Sequence, residues 1–249
     1  MKPLRPSITA ALILSCVASS ACRSARSNRP DAGAATGVET RARVSITAEG
    51  ARVNGTFLED GHGIAGARVT VLDAPTASTA VSGANGTWSI TVPVAQPVYL
   101  RVTSGSYRTI QSGVIVAQAG EMQFPLEMVP SSLLERIYST LDIAENRAAG
   151  ALAVRFNLPG RDRRTTPTGF GATLSAGGGI PVALGSGGPR RSDVTISEET
   201  ILLMLNVAPG PTTVTARAPA GLTCEPARGS LPTVRVDPRV VTFVAFNCR

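Results

Sequence analysis

The chain has 249 residues, enough to bury a sizeable core, and with only 4% aromatic residues that core must be built mainly from Val, Ile, Leu and Ala. Charged residues are sparse at 16%, Gly (25) and Pro (18) are frequent, and long helical patterns are scarce, so the composition counts against a helical protein and points to an all-β chain with many turns. The formal net charge of +7 rests on arginine, Lys2 being the only lysine, and no stacking aromatics stand among the clustered arginines Arg161, Arg163, Arg164, Arg190 and Arg191 as a single-strand nucleic-acid binder would need.

Met1-Lys2-Pro3-Leu4-Arg5 is a short positive segment followed by an apolar run from Ile8 to Ala18 and then small residues, the three-part plan of a secretory signal. The run is too short for a spanning helix. Two cysteines end it, in ILSC (Ile13 to Cys16) and SSAC (Ser19 to Cys22), and both stretches resemble a bacterial lipobox, in which the cysteine is diacylated and becomes the new N-terminus. Cys16 has the better residue three positions before it. Processing there, however, leaves Cys22 as an odd thiol in an oxidising compartment. Cys22 is therefore the preferred lipidation site and Cys16 the alternative, giving a lipoprotein signal peptide over 1–22.

Residues 23–42 are small and polar without periodicity and read as a flexible tether, with a root-mean-square span of roughly 25 Å as a coil. From 43 to 129 short alternating strands are expected, near 52–58, 67–73, 78–82, 87–93, 98–103, 107–116 and 122–128, the density of a β-sandwich. Within this stretch EDGHGIAG, from Glu59 to Gly66, contains a G-x-G-x-x-G. That fingerprint holds a dinucleotide only where a helix follows, and here the alternation Ala67-Arg68-Val69-Thr70-Val71 predicts a strand, so the glycines belong to a turn and no cofactor is implied. Ala84-Asn85-Gly86-Thr87 is a hairpin signal.

The run VNGTFLEDGHGIAGARVTVLD, followed by ANGTWSITVP, resembles the carboxypeptidase regulatory-like domain, a transthyretin-like sandwich. Gly55, Gly66, Ala67, Val69, Val71, Gly86, Trp88, Ile90 and Val92 occupy the pattern positions, and PVYLRVTSGSYRT resembles the next strand. The resemblance covers residues 50–128, with Trp88 standing where Phe is commoner, in a core slot. It implies a non-catalytic module; the enzyme to which such domains are sometimes attached is not part of the match.

Residues 130–148 form an expected helical linker. Ser132-x-x-Glu135 has the spacing of a capping box, and Leu134, Ile137, Tyr138 and Leu141 recur on one face. From 149 to 249 strands are expected again, at 151–157, 171–176, 181–185, 200–207, 212–218 and 240–247. The fold expected is thus all-β: two tandem sandwiches, transthyretin-like or immunoglobulin-like, with one short linking helix.

Cys224 and Cys248 remain for the mature fold, and an even pair in an exported chain is expected to close a disulfide. His62 is the only histidine, so no serine-type triad or histidine-rich zinc site is available, and neither H-E-x-x-H nor G-x-S-x-G occurs. Glu59-Asp60 and Glu198-Glu199 are sequence neighbours, which point to opposite faces of a strand and make poor acid/base dyads. Arg161, Arg163 and Arg164 in one loop and Arg190 and Arg191 in another are candidate anion-binding residues through forked contacts to carboxylate or phosphate. These features predict a non-catalytic envelope lipoprotein that binds or scaffolds through sandwich-end loops. Its partners would be the membrane through the lipid and an envelope protein or surface glycan, with no metal and no nucleic acid; the alternatives are a glycan-binding module and, less favoured, an enzyme with an unrecognised site.

Overall fold

Alternating residues make the first strands. The structure, a computed structural model, describes residues 41–50, 64–74, 78–84, 86–118, 120–123, 126–159, 167–185, 187–196, 201–227 and 230–249; for 41–50, 120–123 and 126–127 it gives the backbone alone. Strand β1 (Arg41–Gly50) is followed by β2 (Arg68–Leu72), β3 (Thr79–Val81), β4 (Thr87–Pro93) and β5 (Pro97–Thr103). Every second residue of β2, β4 and β5 is buried: Val69 and Val71, Trp88, Ile90 and Val92, and Val98, Leu100 and Val102. The short β6 (Ile110–Ser112), β7 (Ile115–Val116), β8 (Gly120–Gln123) and β9 (Leu126–Met128) complete the first half. No helix follows Gly66; the chain enters β2, with Ser82 Oγ accepting from Ala67 N (2.9 Å) and donating to Ile64 O (2.6 Å).

Two expectations for this half change. β1 begins at Arg41, inside the segment read as tether, and pairs antiparallel with β4 and parallel with β8 and β9. The segment between Gly83 and Thr87 closes no two-stranded hairpin: Gly83 N donates to Thr87 O, and Gly86 takes φ 74, but β3 pairs with β2 while β4 pairs with β1. It carries the chain from one sheet of the sandwich to the other. The strand expected at 52–58, together with Glu59, Asp60 and His62, lies outside the described residues.

The helix α1 spans Ser131–Thr140 and buries Leu133, Leu134, Ile137 and Tyr138. The capping box does not form. Pro130 is the N-cap, its carbonyl accepts from Leu133 N (3.1 Å), and no side chain caps the first turn. With Pro130 at the N-cap the helix starts two residues before a Ser132 cap would start it, which puts Ser132 inside the first turn.

Eight strands of the second half, β10 (Gly150–Asn157), β11 (Gly171–Leu174), β12 (Ile180–Ala183), β13 (Arg190–Arg191), β14 (Ile201–Val207), β15 (Gly210–Arg217), β16 (Cys224–Pro226) and β17 (Thr233–Val236), precede β18 (Val241–Cys248). β10 and β14 are buried almost throughout because both their faces are covered. Ala151, Ala153, Leu203 and Leu205 join the core of α1 and the first half. Leu152, Val154, Phe156, Leu202 and Met204 face a second core with Val214, Val234 and Val236 from the three-stranded sheet β11-β15-β17.

The halves are not joined simply end to end. β18 runs parallel to β10 on one side and parallel to β6 on the other, Val241 facing both Ala151 and Ile110. One sheet therefore runs β13-β12-β14-β10-β18-β6-β5-β2-β3 through both, and residues 39–249 form one compact unit. The expected pair of tandem sandwiches is fused through this shared sheet. A polar cluster closes the junction. The fully buried Gln111 donates to Arg235 O (3.0 Å) and accepts from Arg101 (2.6 Å), Asp237 pairs with Arg101 and with Arg235 (3.3 Å), and Arg235 reaches Asp73 (3.2 Å) and lies 5.6 Å over the Tyr99 ring. A fully buried amide such as that of Gln111 has to find its partners within the protein, and here they come from both halves, Arg101 from the first and Arg235 from the second.

Where β10 starts, the 237–240 turn passes directly across it. A β-carbon on Gly150 would stand 2.4 Å from Asp237 O and 2.7 Å from Val236 Cγ1, neither of which is the free end of a flexible chain. Gly150→Ala should therefore destabilise the protein by about 2 kcal/mol, seen as a lower urea midpoint with an unchanged slope.

Candidate functional site

Four stretches of chain meet beside this crossing to form an open cleft of about 450 Å³. Tyr107, Arg108 and Thr109, between β5 and β6, form one wall. Ser131 and Glu135 come from the first turns of α1, Glu145 and Arg147 from the loop after it, and Pro238, Arg239 and Val240 from the turn before β18. Backbone bonds hold the walls together: Arg108 N donates to Val129 O (2.8 Å), Ser131 N to Ser106 O (3.0 Å), Arg239 N to Ala149 O (2.8 Å) and Val241 N to Thr109 O (3.0 Å).

Arg108 is the fixed charge of the cleft. Its side chain is only 10% exposed, its Nη1 lies 2.9 Å from Glu145 and its Nη2 3.8 Å from Glu135, while its buried Nε has no partner among the described residues. The loop carrying Glu145 is held in turn by Asn206, which sits in β14 with the left-handed φ of 55 at a shift in the β10–β14 register. The Asn206 carboxamide accepts from Asn146 N (3.0 Å) and Tyr138 Oη (3.2 Å) and donates to Ala144 O (2.9 Å). Asparagine suits the position because it tolerates the left-handed region and offers both donors and acceptors to the loop.

Arg147 and Arg239 are exposed, and neither guanidinium has a partner among the described residues. Arg239 also has a left-handed φ of 61, an angle that costs a residue with a β-carbon about 1–2 kcal/mol and that Gly or Asn would take with less strain.

The sequence-nominated residues fall elsewhere. Cys224 and Cys248 are joined, directly opposite each other on β16 and β18 with Cα atoms 4.1 Å apart. Arg191 is engaged: it donates to Leu141 O (3.0 Å) and Asp142 O (3.4 Å), and so satisfies the carbonyl end of α1, where a cation is favoured. Arg190 is exposed on the short β13, and Arg161, Arg163, Arg164, Glu198, Glu199, Cys16 and Cys22 lie outside the described residues. Trp88 is a core residue of the first sandwich, 5% exposed. Among the described residues no group of three or more His, Cys, Asp or Glu side chains could hold a metal.

The cleft escapes sequence pattern because its residues come from four separated segments. Two local signals mark it: the charged turn Asp237-Pro238-Arg239, and an Asn at position 206 closing the otherwise apolar run 201–205.

No family model matches the chain, and no curated protein matches it. Among solved structures, the TIE protein of Bacillus anthracis is 12% identical at a TM-score of 0.27, aligning with 84% of this chain and 34% of its own. The shaft pilin SpaA from Lactobacillus rhamnosus GG is 11% identical at 0.28, with 84% and 98% covered. A minor pilin from Streptococcus agalactiae is 10% identical at 0.26, with 83% and 94% covered. This chain thus spans about a third of the TIE protein, and at these values no residue role passes from any of the three to it.

The backbone angle at Arg239 lends itself to substitution. Arg239→Gly should leave the thermal midpoint unchanged or raise it, relieving the left-handed angle by up to about 1 kcal/mol after the entropy of glycine is counted, whereas Arg239→Val should lower it. The phenols give a pH dependence. Burial, with Glu145 adding, raises Tyr138 above the ordinary 10.0, and burial, with Asp73 adding, does the same to Tyr99. Both keep their protons when folded at a pH where the unfolded chain begins to lose them, so this contribution is complete below pH 10 and is lost as pH rises through the folded values. Urea midpoints measured from pH 8 to 11 should fall above about pH 10, and less steeply in Tyr99→Phe/Tyr138→Phe.

Proposed function

We propose that this chain is a non-catalytic binding or scaffolding module of the bacterial cell envelope. It is exported, cleaved before Cys22, diacylated there and held near the membrane through the residues that precede β1; Cys16 is the alternative acceptor. The first half is proposed to be a carboxypeptidase regulatory-like sandwich. The observation that carries the binding role is the seam cleft, where two guanidinium groups stand without partners among the described residues beside a fixed Arg108–Glu145 pair. Unanswered charge on a braced frame is the arrangement of a recognition surface rather than of a packing contact. The Cys224–Cys248 bond supports export, since such bonds persist in oxidising compartments. The non-catalytic reading is supported by His62 being the only histidine, set in a Gly-rich stretch.

The test is mass spectrometry of a C-terminally tagged copy after crosslinking in cells. A diacylated N-terminal peptide beginning at Cys22, and one recurrent envelope protein among the crosslinked products, are expected. Cys22→Ala should release the protein from the membrane fraction. An unacylated N-terminus, with no protein recovered repeatedly, overturns the anchored scaffold.

A further inference from the structure

We infer that the seam cleft binds a hydroxylated carboxylic acid of the kind a uronic-acid unit of an acidic glycan presents; this rests on the reading of the chain as a binding module and narrows it to a ligand class. What the cleft can take depends on which of its polar groups are already satisfied. Arg108 is held by Glu145, so this pair forms a nearly neutral floor and leaves the carboxylate of Glu145 engaged. The remaining donors are Arg147 and Arg239, both exposed and both without a partner among the described residues. A carboxylate is the natural acceptor for a guanidinium, which can meet it with two parallel N–H groups.

The cleft also holds acceptors that a bare anion would leave unanswered. Glu135 has a side chain 65% exposed whose contact is the long 3.8 Å approach to Arg108, and the Ser131 hydroxyl stands one turn before it. A ligand carrying only negative charge would be repelled by Glu135, whereas one with hydroxyl groups beside its carboxylate can donate to it. The half-buried Tyr107 adds a ring against which a sugar face could lie.

Size and polarity favour a sugar acid over an acidic peptide. The volume, about 450 Å³, lies within the usual small-ligand range of about 300–1,000 Å³. Among the described residues Tyr107, Pro238 and Val240 are the less polar members of a lining otherwise made of charged and hydroxyl side chains, a small surface for the apolar side chains through which peptides usually gain affinity.

Isothermal titration of the purified full chain with trigalacturonate tests the assignment, with neutral galactotriose, inorganic phosphate and triglutamate as comparison ligands. Saturable binding of trigalacturonate is expected, with galactotriose silent and phosphate and triglutamate weaker. Arg147→Ala/Arg239→Ala should weaken trigalacturonate binding by about tenfold or more while its thermal midpoint stays near that of the parent protein. Glu135→Gln should weaken trigalacturonate binding but not that of phosphate. Failure to bind trigalacturonate, binding indifferent to the arginine pair, or phosphate or triglutamate binding as tightly as trigalacturonate, each overturns the inference. Because the titration uses purified protein, its outcome is independent of acylation: an unacylated N-terminus in cells, with trigalacturonate still bound by the purified chain, would sink the anchored reading alone, and a diacylated protein that ignores trigalacturonate would sink this one alone.

Discussion

The hydrogen bonding of β18 on both its sides is the constraint from which the rest of the architecture follows. A strand parallel to β10 and to β6 at once requires the second half to return onto the first. That return brings the 237–240 turn across Gly150 and sets Arg235 and Asp237 among Asp73, Tyr99, Arg101 and Gln111. It leaves a seam whose outer margin is the cleft. The cleft is thus a product of topology. Its residues have no pattern in common and meet only because one strand has two neighbours.

The polar cluster at the seam and the charges of the cleft obey different rules. At the seam most of the polar atoms are answered, Gln111 using both ends of its amide and Asp237 taking two arginines, while the Arg101 Nε has no partner among the described residues. Removing one member would leave buried polarity unpaired, which is where such networks gain their specificity. A few residues along the chain, at Arg239, the side chain has no answer among the described residues and the backbone is held at an uncommon angle. Arg108 resembles Arg101 of the seam, its terminal nitrogens engaged and its Nε without a partner among the described residues.

Much of the secondary structure was readable from pattern. β4 and β5 alternate cleanly because one face meets a core and the other meets water, and β10 and β14 appear as apolar runs because helix and sheet cover them from both sides. Strands without a legible period are short or masked by their neighbours. β13 and β16 are too short to establish a period, and in β17 only Val234 and Val236 show it. β1 alternates Ala42, Val44, Ile46 and Ala48 with polar residues, but follows a long polar stretch that masks its onset. The fusion of the halves could not be read from local pattern, because parallel pairing between Ile110 and Val241 leaves no signature near either residue. The capping box misled for a local reason: Pro130 already supplies a helix entry. Of the site, the disulfide pair could be counted out from the sequence, whereas the commitment of Arg191 to the end of α1 depends on β13 lying near that end.

The same pairing bears on the order in which the chain can fold. β6 has β5 on one side as soon as the first half is made, but its other edge stays open until β18, far later in the chain, has emerged. Contacts between such distant segments form slowly, and an unpaired edge is the part of a sheet most prone to join a foreign strand. A chain delivered from its N-terminus would therefore pass through a stage in which its first sandwich is formed and β6 is exposed. The wait ends when Val241 settles between Ala151 and Ile110.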